Sequence, residues 1–377
     1  MLIKAIRYIT LFLIFLNFPG WVLDNFNPIL SSALSYLSFG LTLLYFILAK
    51  EWNFNSWLLL LGLVYFGISS LSGQIYLPDL ITYMIIIIKY FILIIGGYIM
   101  LRHTSKKEIF YFLLIGALSV FLQMFVFYNK AQDYGRYSGF YLNPNSLAFI
   151  CMMGYGLTYG LKTKLRTWGQ IIFTFIGFLT FSRTFIVVWL LMNLISIRLS
   201  LKNIRVLAIG LGLFIGLLTF NAFLPKSNPR LEAMANILEG NNTNTKKLEE
   251  GGRSDTWAAY YPALLEKPFF GNGYGSFAGG GIAGRVGPHN AYLKVIGEAG
   301  IITLLIMILM FGKMTYQSAI NFLKKPYLLL MIVSLDLFLL ANHNFFDSGY
   351  VLFFIMWLQI QLNKNENSTI NNNNNNR

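Results

Sequence analysis

Apolar blocks of roughly 16–22 residues recur along the chain, each long enough for a helix to cross about 30 Å of hydrocarbon. The clearest span 30–49, 80–101, 109–128 and 204–223. Lipid admits only helices and closed barrels, because backbone groups there find no water. The alternating runs of a barrel strand are missing, so helices are expected. Composition agrees: 56% of residues are hydrophobic and 12% charged, where a soluble domain carries about 25% charged. The fold class expected is an all-α polytopic membrane protein with about twelve transmembrane helices and one large, partly helical outer loop.

The blocks predict helices near 3–18, 29–49, 56–73, 80–101, 109–128, 145–161, 168–182, 184–199, 203–223, 291–312, 327–342 and 349–362. The first is kept as a helix because Phe18-Pro19-Gly20 makes a poor leader-cleavage site. Lys and Arg fall in every second gap, at Lys4/Arg7, Lys50, Arg102/Lys106/Lys107, Lys162/Lys164/Arg166, Arg198/Lys202/Arg205, Lys313/Lys324/Lys325 and Lys364. The gaps near 19–28, 74–79 and 343–348 carry neither. This alternation places both termini in the cytoplasm. It also accounts for the net charge of +14 as topology signals, with no continuous basic face for nucleic acid.

Four segments follow: helices over 1–223, a large outer loop over 224–290, helices over 291–362, and an Asn-rich tail over 363–377 expected to be disordered. The loop is nearly charge-balanced, and short amphipathic helices are expected at 229–239 and 253–266. The apolar run 168–199 is too long for one crossing, so the chain should reverse at Ser182-Arg183-Thr184. The one cysteine, Cys151, lies inside an apolar block and forms no intrachain disulfide.

Three side chains are candidates for chemistry. Arg183 sits at a membrane edge, where a guanidinium fork suits phosphate oxygens and a snorkelling helix-end charge is the plainer alternative. Arg253 precedes helix-capping Ser254 and Asp255, and either binds an anion there or is a solvated helix-start charge. His289 stands where the large loop re-enters the membrane, able to act as a base or to cap the next helix. The glycines at 271–275 and 279–281 meet no nucleotide-binding pattern, and no metal-ligand spacing is present. Lys89 and Asp336 fall mid-span, and His343 lies in a short outer gap.

These pieces form a series: Asn143-Pro144-Asn145-Ser146-Leu147-Ala148, Phe181-Ser182-Arg183-Thr184, Gly252-Arg253-Ser254-Asp255-Thr256-Trp257, Lys267-Pro268-Phe269-Phe270-Gly271-Asn272-Gly273-Tyr274-Gly275, Pro288-His289-Asn290-Ala291-Tyr292-Leu293 and Gly297-Glu298-Ala299-Gly300. In this the chain resembles the O-antigen ligase/O-antigen polymerase family of bacterial inner-membrane enzymes. The resemblance implies transfer of a glycan from undecaprenyl diphosphate to a hydroxyl, without metal or other cofactor, on the periplasmic side. It implies His289, Arg253 and Arg183 as catalytic residues; Asn290, Asn143, Asn145, Arg136, Tyr260 and Trp257 are candidates for substrate contact, the two aromatics either stacking on sugars or, at least as readily, packing within the loop. The partners implied are an undecaprenyl-diphosphate-linked oligosaccharide, membrane lipids and a chain-length regulator protein. Three activities remain open: a polymerase extending a lipid-linked repeat unit, which the compact chain favours; a ligase adding glycan to lipid A-core; and a polysaccharide flippase or transporter. The last gives no reason for a patterned outer loop.

The orientation is directly testable. A cysteine at position 242 (Asn242→Cys) should react with a membrane-impermeant maleimide in spheroplasts, and one at 317 (Gln317→Cys) should not. Reversed labelling would overturn the orientation.

Overall fold

The computed structural model describes residues 1–71, 75–76, 79–127, 136–221, 253–282 and 286–374. It is 77% helical, with no strand among the described residues, which excludes the barrel alternative. The helices are α1 Leu2–Phe15, α2 Phe18–Asn25, α3 Pro28–Ala49, α4 Ser56–Leu71, α5 Leu80–Arg102, α6 Lys106–Phe125, α7 Pro144–Thr158, α8 Thr163–Leu179, α9 Arg183–Ile197, α10 Ile204–Asn221, α11 Arg253–Ala258, α12 Tyr261–Glu266, α13 Ala291–Ile320, α14 Pro326–Leu339 and α15 Gly349–Asn374.

Each expected apolar block is a helix, and they differ in length. Four helices (α3, α5, α6 and α13) are long and apolar enough to span a membrane. α1 and α2 meet at a 56° bend and together make a fifth. The bend falls at Asn17, whose φ of 48° breaks the hydrogen-bond ladder, and Pro19 opens α2. α4, α9 and α14 are apolar but shorter. The core surrounds α7, buried over nearly its whole length, and the stretch of α15 from Val351 to Leu358.

Several boundaries differ from expectation. The reversal within 168–199 is a tight turn: α8 ends at Leu179, Phe181 takes φ 48°, and Ser182 caps α9 by accepting the Phe185 N–H at 3.4 Å. The helix expected over 253–266 is two, α11 and α12. Pro262, lacking an N–H, opens the second and cannot continue the first. α15 runs on to Asn374, into the tail expected to be disordered; a helix anchored in the core extends without a new nucleation cost. The helix expected at 229–239 lies outside the described residues, as does part of the outer gap 129–144.

The largest departure is α13, expected as a single crossing. Gly300 interrupts it with φ 74° and ψ −177°. Along a straight helix Tyr292 and Phe311 would stand about 28 Å apart, at about 1.5 Å per residue. Their ring centroids are 6.4 Å apart. The chain therefore doubles back at Gly300, and the arm 291–299 folds alongside the longer arm 301–320. Only the second arm has the length of a crossing. The first returns toward the bundle interior, carrying its N-terminal end, next to His289, away from the apex.

The apex is sealed by the turn 267–273. Ile301 N–H donates to the Pro268 carbonyl at 2.9 Å, Asn272 N–H to Gly297 at 2.7 Å and Gly273 N–H to Glu298 at 3.2 Å. A Cβ at 300 would stand 1.9 Å from the Phe269 carbonyl oxygen. Gly300→Ala should thus lower the thermal unfolding midpoint of the detergent-purified protein, since this backbone region alone costs a side chain about 1–3 kcal/mol. Gly312→Ala is the internal control: a Cβ there meets nothing within 4 Å, and the helix should hold or gain stability. Equal midpoints for the two variants would refute the fold-back as a structural requirement.

Candidate active site

Two clusters are built at helix starts. In the first, Asn143 caps α7 by accepting the Asn145 N–H at 2.8 Å. The Asn145 Oδ1 then accepts from Arg136 Nη2 at 2.9 Å and from Ser182 Oγ at 3.0 Å. Arg136 Nε donates to the Thr180 carbonyl at 3.0 Å. One amide oxygen thereby ties the start of α7 to the start of α9. Arg183 is the first residue of α9 and is exposed beside this knot. Two guanidinium groups and the positive ends of two helix dipoles share this corner, a setting that favours an anion.

The second cluster surrounds His289. Trp257 Nε1 donates to the Pro288 carbonyl at 2.8 Å, and the Tyr260 hydroxyl to the Val286 carbonyl at 2.9 Å. The strand of chain entering α13 is thus held from α11 and its following turn. Asn290 caps α13, its Oδ1 accepting the N–H groups of Tyr292 at 3.0 Å and Leu293 at 3.1 Å. His289 itself is exposed, with φ 50°. That left-handed backbone is costly for a residue with a Cβ and is commonest where function or a turn demands it.

His343, from the loop between α14 and α15, brings its ring to 5.1 Å from the His289 ring. It packs on Gly287, where a Cβ would come 2.9 Å from His343 Cε1. Burial pushes the His343 imidazole down to about 4, helped by the charges of Lys294 and His289 and opposed by Asp347. Its Nδ1 is buried without a hydrogen-bond partner. Beside it Lys294 pairs with Asp347 at 3.3 Å, and the Tyr274 hydroxyl donates to the other carboxylate oxygen at 3.3 Å. One turn along the same arm, fully buried Glu298 accepts from the Tyr65 hydroxyl and, at 3.2 Å, from the Phe277 N–H.

A cleft of about 500 Å³ touches the first cluster at Asn143 and the second at Asp347. Asn143 and Ser146 line it from α7, Asn344, Asp347 and Ser348 from the loop that carries His343, and Ser31, Ser35 and Ser38 from α3. Hydroxyls, amides and one carboxylate predominate in its polar lining, a surface suited to sugar hydroxyls.

Of the residues picked out in the sequence, the structure places Arg183, Arg136 and Asn145 together, and His289 with Asn290, Trp257 and Tyr260. Arg253 begins α11, and its side chain lies outside the described residues. Tyr260 is buried against Phe277 with ring centroids 4.6 Å apart, so its ring has no open face for stacking on a sugar. Asn143 and Asn290 spend their side-chain oxygens on helix caps. Sequence reasoning missed Lys294, Glu298, Asp347 and His343. The signal available was Lys294 and Glu298, two charges four apart in an apolar helix. Among the described residues no three His, Cys, Asp or Glu side chains gather as a metal site.

Residues 168–308 match the family model described as O-antigen ligase. The matched stretch runs from α8 through Arg183, Arg253 and His289 to beyond the Gly300 apex, and is consistent with the O-antigen ligase/polymerase family that the motifs resemble. No curated protein matches the chain.

The lowered His343 basicity has a consequence for stability. Between pH 6.5 and 4 the unfolded chain binds a proton at this position and the folded chain does not, so stability is lost as pH falls through that window. His343→Asn should lose less stability than the parent over that range in detergent unfolding titrations. Parallel pH curves for the two proteins would contradict it.

Proposed function

With an O-antigen ligase domain at residues 168–308 as premise, we propose that this integral membrane protein is a surface-polysaccharide polymerase. It takes glycan from undecaprenyl diphosphate and joins it to a hydroxyl of a second lipid-linked repeat unit. In this reading about twelve segments cross the inner membrane, both termini are cytoplasmic, and the loop 224–290 is periplasmic. The alternation of basic gaps supports that orientation. The observation that supports the function is the cleft lined by Asn143 and Ser146 of α7, whose neighbour Asn145 is tied to Arg136 and Ser182, and by Asp347, which shares its loop with His343 beside His289.

The acceptor hydroxyl oxygen attacks the anomeric carbon of the donor, and the bond from that carbon to the diphosphate oxygen breaks. Direct displacement inverts the anomeric configuration. The hydroxyl proton passes to the His289 imidazole, a step that contributes about 10²–10⁴-fold where general-base catalysis is measured. Negative charge developing on the leaving diphosphate is met by Arg183, with Arg136 and Arg253 nearby in the same reading and the starts of α7 and α9 adding their dipoles. Asn290 and Asn143 hold the two helix starts and so orient the reacting groups, and Trp257 fixes the carbonyl beside His289. A folded recess favours holding two bulky lipid-linked substrates in register, and a chain-length regulator protein would act from outside it.

His289→Ala should abolish chain extension at normal protein levels, leaving surface glycan of one repeat unit. His289→Gln, which keeps hydrogen bonding without basicity, should fail as well; a full ladder from it would make the residue an orienting group. Arg183→Lys should retain activity in part, since a point charge lacks the guanidinium fork, and wild-type chain lengths in Arg183→Ala would remove it from the site. The description of the matched family favours a second reading, ligation to lipid A-core. Deleting the protein separates the two: single-repeat capping supports the polymerase, and accumulation of lipid-linked polymer supports the ligase.

A further inference from the structure

A second cavity, of about 400 Å³, lies where the start of α4 meets α5, the long arm of α13 and α15. It belongs to the end of the bundle carrying the basic gaps, with Tyr98 one turn before Arg102 and Asn363 beside Lys364. Lys313 is its only charged lining residue. The polar remainder includes the side-chain amides of Asn55, Gln317, Gln359 and Asn363, with the Trp57 indole. Among the described residues no Asp or Glu lines it.

Two of the polar groups, Asn55 and Gln359, are buried at some cost, while Lys313 and Asn363 are exposed at the mouth. Gln359 is nine-tenths buried at the end of the stretch of α15 from Val351 to Leu358, whose side chains are wholly buried. Its Oε1 accepts from Asn55 Nδ2, and Asn55 Oδ1 caps α4 by accepting the Leu58 N–H at 3.0 Å. The Gln359 Nε2 finds only the Met314 sulfur, at 3.4 Å, a weak acceptor. A buried amide in hydrocarbon surroundings is unfavourable unless its hydrogen bonds are made. Lys313 Nζ stands 5.9 Å from the Trp57 ring, and no carboxylate pairs with it among the described residues. A buried Gln359 amide without a strong acceptor and a lysine without a carboxylate partner among the described residues together complement a monoanion with several oxygens.

We propose that this cavity binds a phosphate group, supplied by the headgroup of an anionic phospholipid in the leaflet on the basic side. Lys313 neutralises the phosphate, Gln359 and Gln317 donate to its oxygens, and the Trp57 and Tyr98 rings flank the headgroup at the depth where such aromatics settle. The site shares no lining residue with the cleft between Asn143 and Asp347.

The test uses the full chain in nanodiscs of phosphatidylglycerol or of phosphatidylcholine, followed by native mass spectrometry of retained lipid. The wild-type protein should retain phosphatidylglycerol selectively. Lys313→Ala should weaken retention by about ten- to a hundredfold, the range for loss of a charge-assisted bond. Lys324→Ala, an exposed lysine on the same end, should leave it unchanged and so controls for general surface charge. Gln359→Leu should weaken retention as well, with circular dichroism confirming an intact fold. Equal retention in the wild type and Lys313→Ala, or equal retention of the two lipids, would overturn the proposal. In a second arm, dialysis of detergent-purified protein against labelled inorganic phosphate separates the sources. Lipid retention without phosphate uptake supports the headgroup, and Lys313-dependent uptake of phosphate without lipid selectivity overturns it.

Discussion

The contact on which the site depends is the one at Gly300, where the Phe269 carbonyl occupies the space a side chain would fill. Breaking a helix in apolar surroundings frees backbone groups that cost several kcal/mol each if left bare. The turn 267–273 re-satisfies them one by one, through Pro268, Asn272 and Gly273. Asn272 adds its side-chain amide to the carbonyls of Ala263 at 3.0 Å and Gly297 at 3.2 Å, binding α12 to the same apex. The glycine-rich turn and the broken helix are therefore one unit. What it achieves is placement: the short arm turns back into the bundle with His289 at its foot, recessed below the apex.

Recessing a helix start brings charged residues with it. Lys294 and Glu298 are both buried on the short arm, and an ion pair at such depth adds little net stability, because desolvation offsets attraction. Their partners show what they do instead. Asp347 reaches Lys294 from the loop 340–348, Tyr274 reaches Asp347 from the outer turn, and Tyr65 reaches Glu298 from α4. Phe346, next to Asp347, stacks on Tyr65 with ring centroids 3.8 Å apart. Three separate elements are thereby registered against one arm, which fixes where His343 meets His289.

The helices were legible because apolar block length and basic gaps are local properties of the chain. The reversal at Ser182-Arg183-Thr184 was legible for the same reason, since no single crossing holds that many apolar residues. The fold-back at Gly300 was not: Gly297-Glu298-Ala299-Gly300 reads as ordinary helix, and only the distant carbonyl of Phe269 makes glycine obligatory there. His343 and Asp347 were passed over because nothing near them in sequence marks them; their meaning comes from Gly287, Lys294 and Tyr274. Tyr260 shows a choice that sequence leaves open. An aromatic in an outer loop reads equally as a sugar platform or as loop packing until its hydroxyl is found on Val286 and its ring on Phe277.

A common logic connects the motif residues that remain. Ser182, Asn143 and Asn290 are each the cap of a helix that starts at a membrane edge or within the bundle, where the first N–H groups have no water to meet them. Arg183 follows one cap and His289 precedes another, so each reactive candidate stands directly beside a capping residue. Helix starts also carry partial positive charge, a setting that favours an anion beside α7 and α9. In the proposed reading, an anion site and a base would both rest on the same structural element used in two places, with the cleft between Asn143 and Asp347 lying near each.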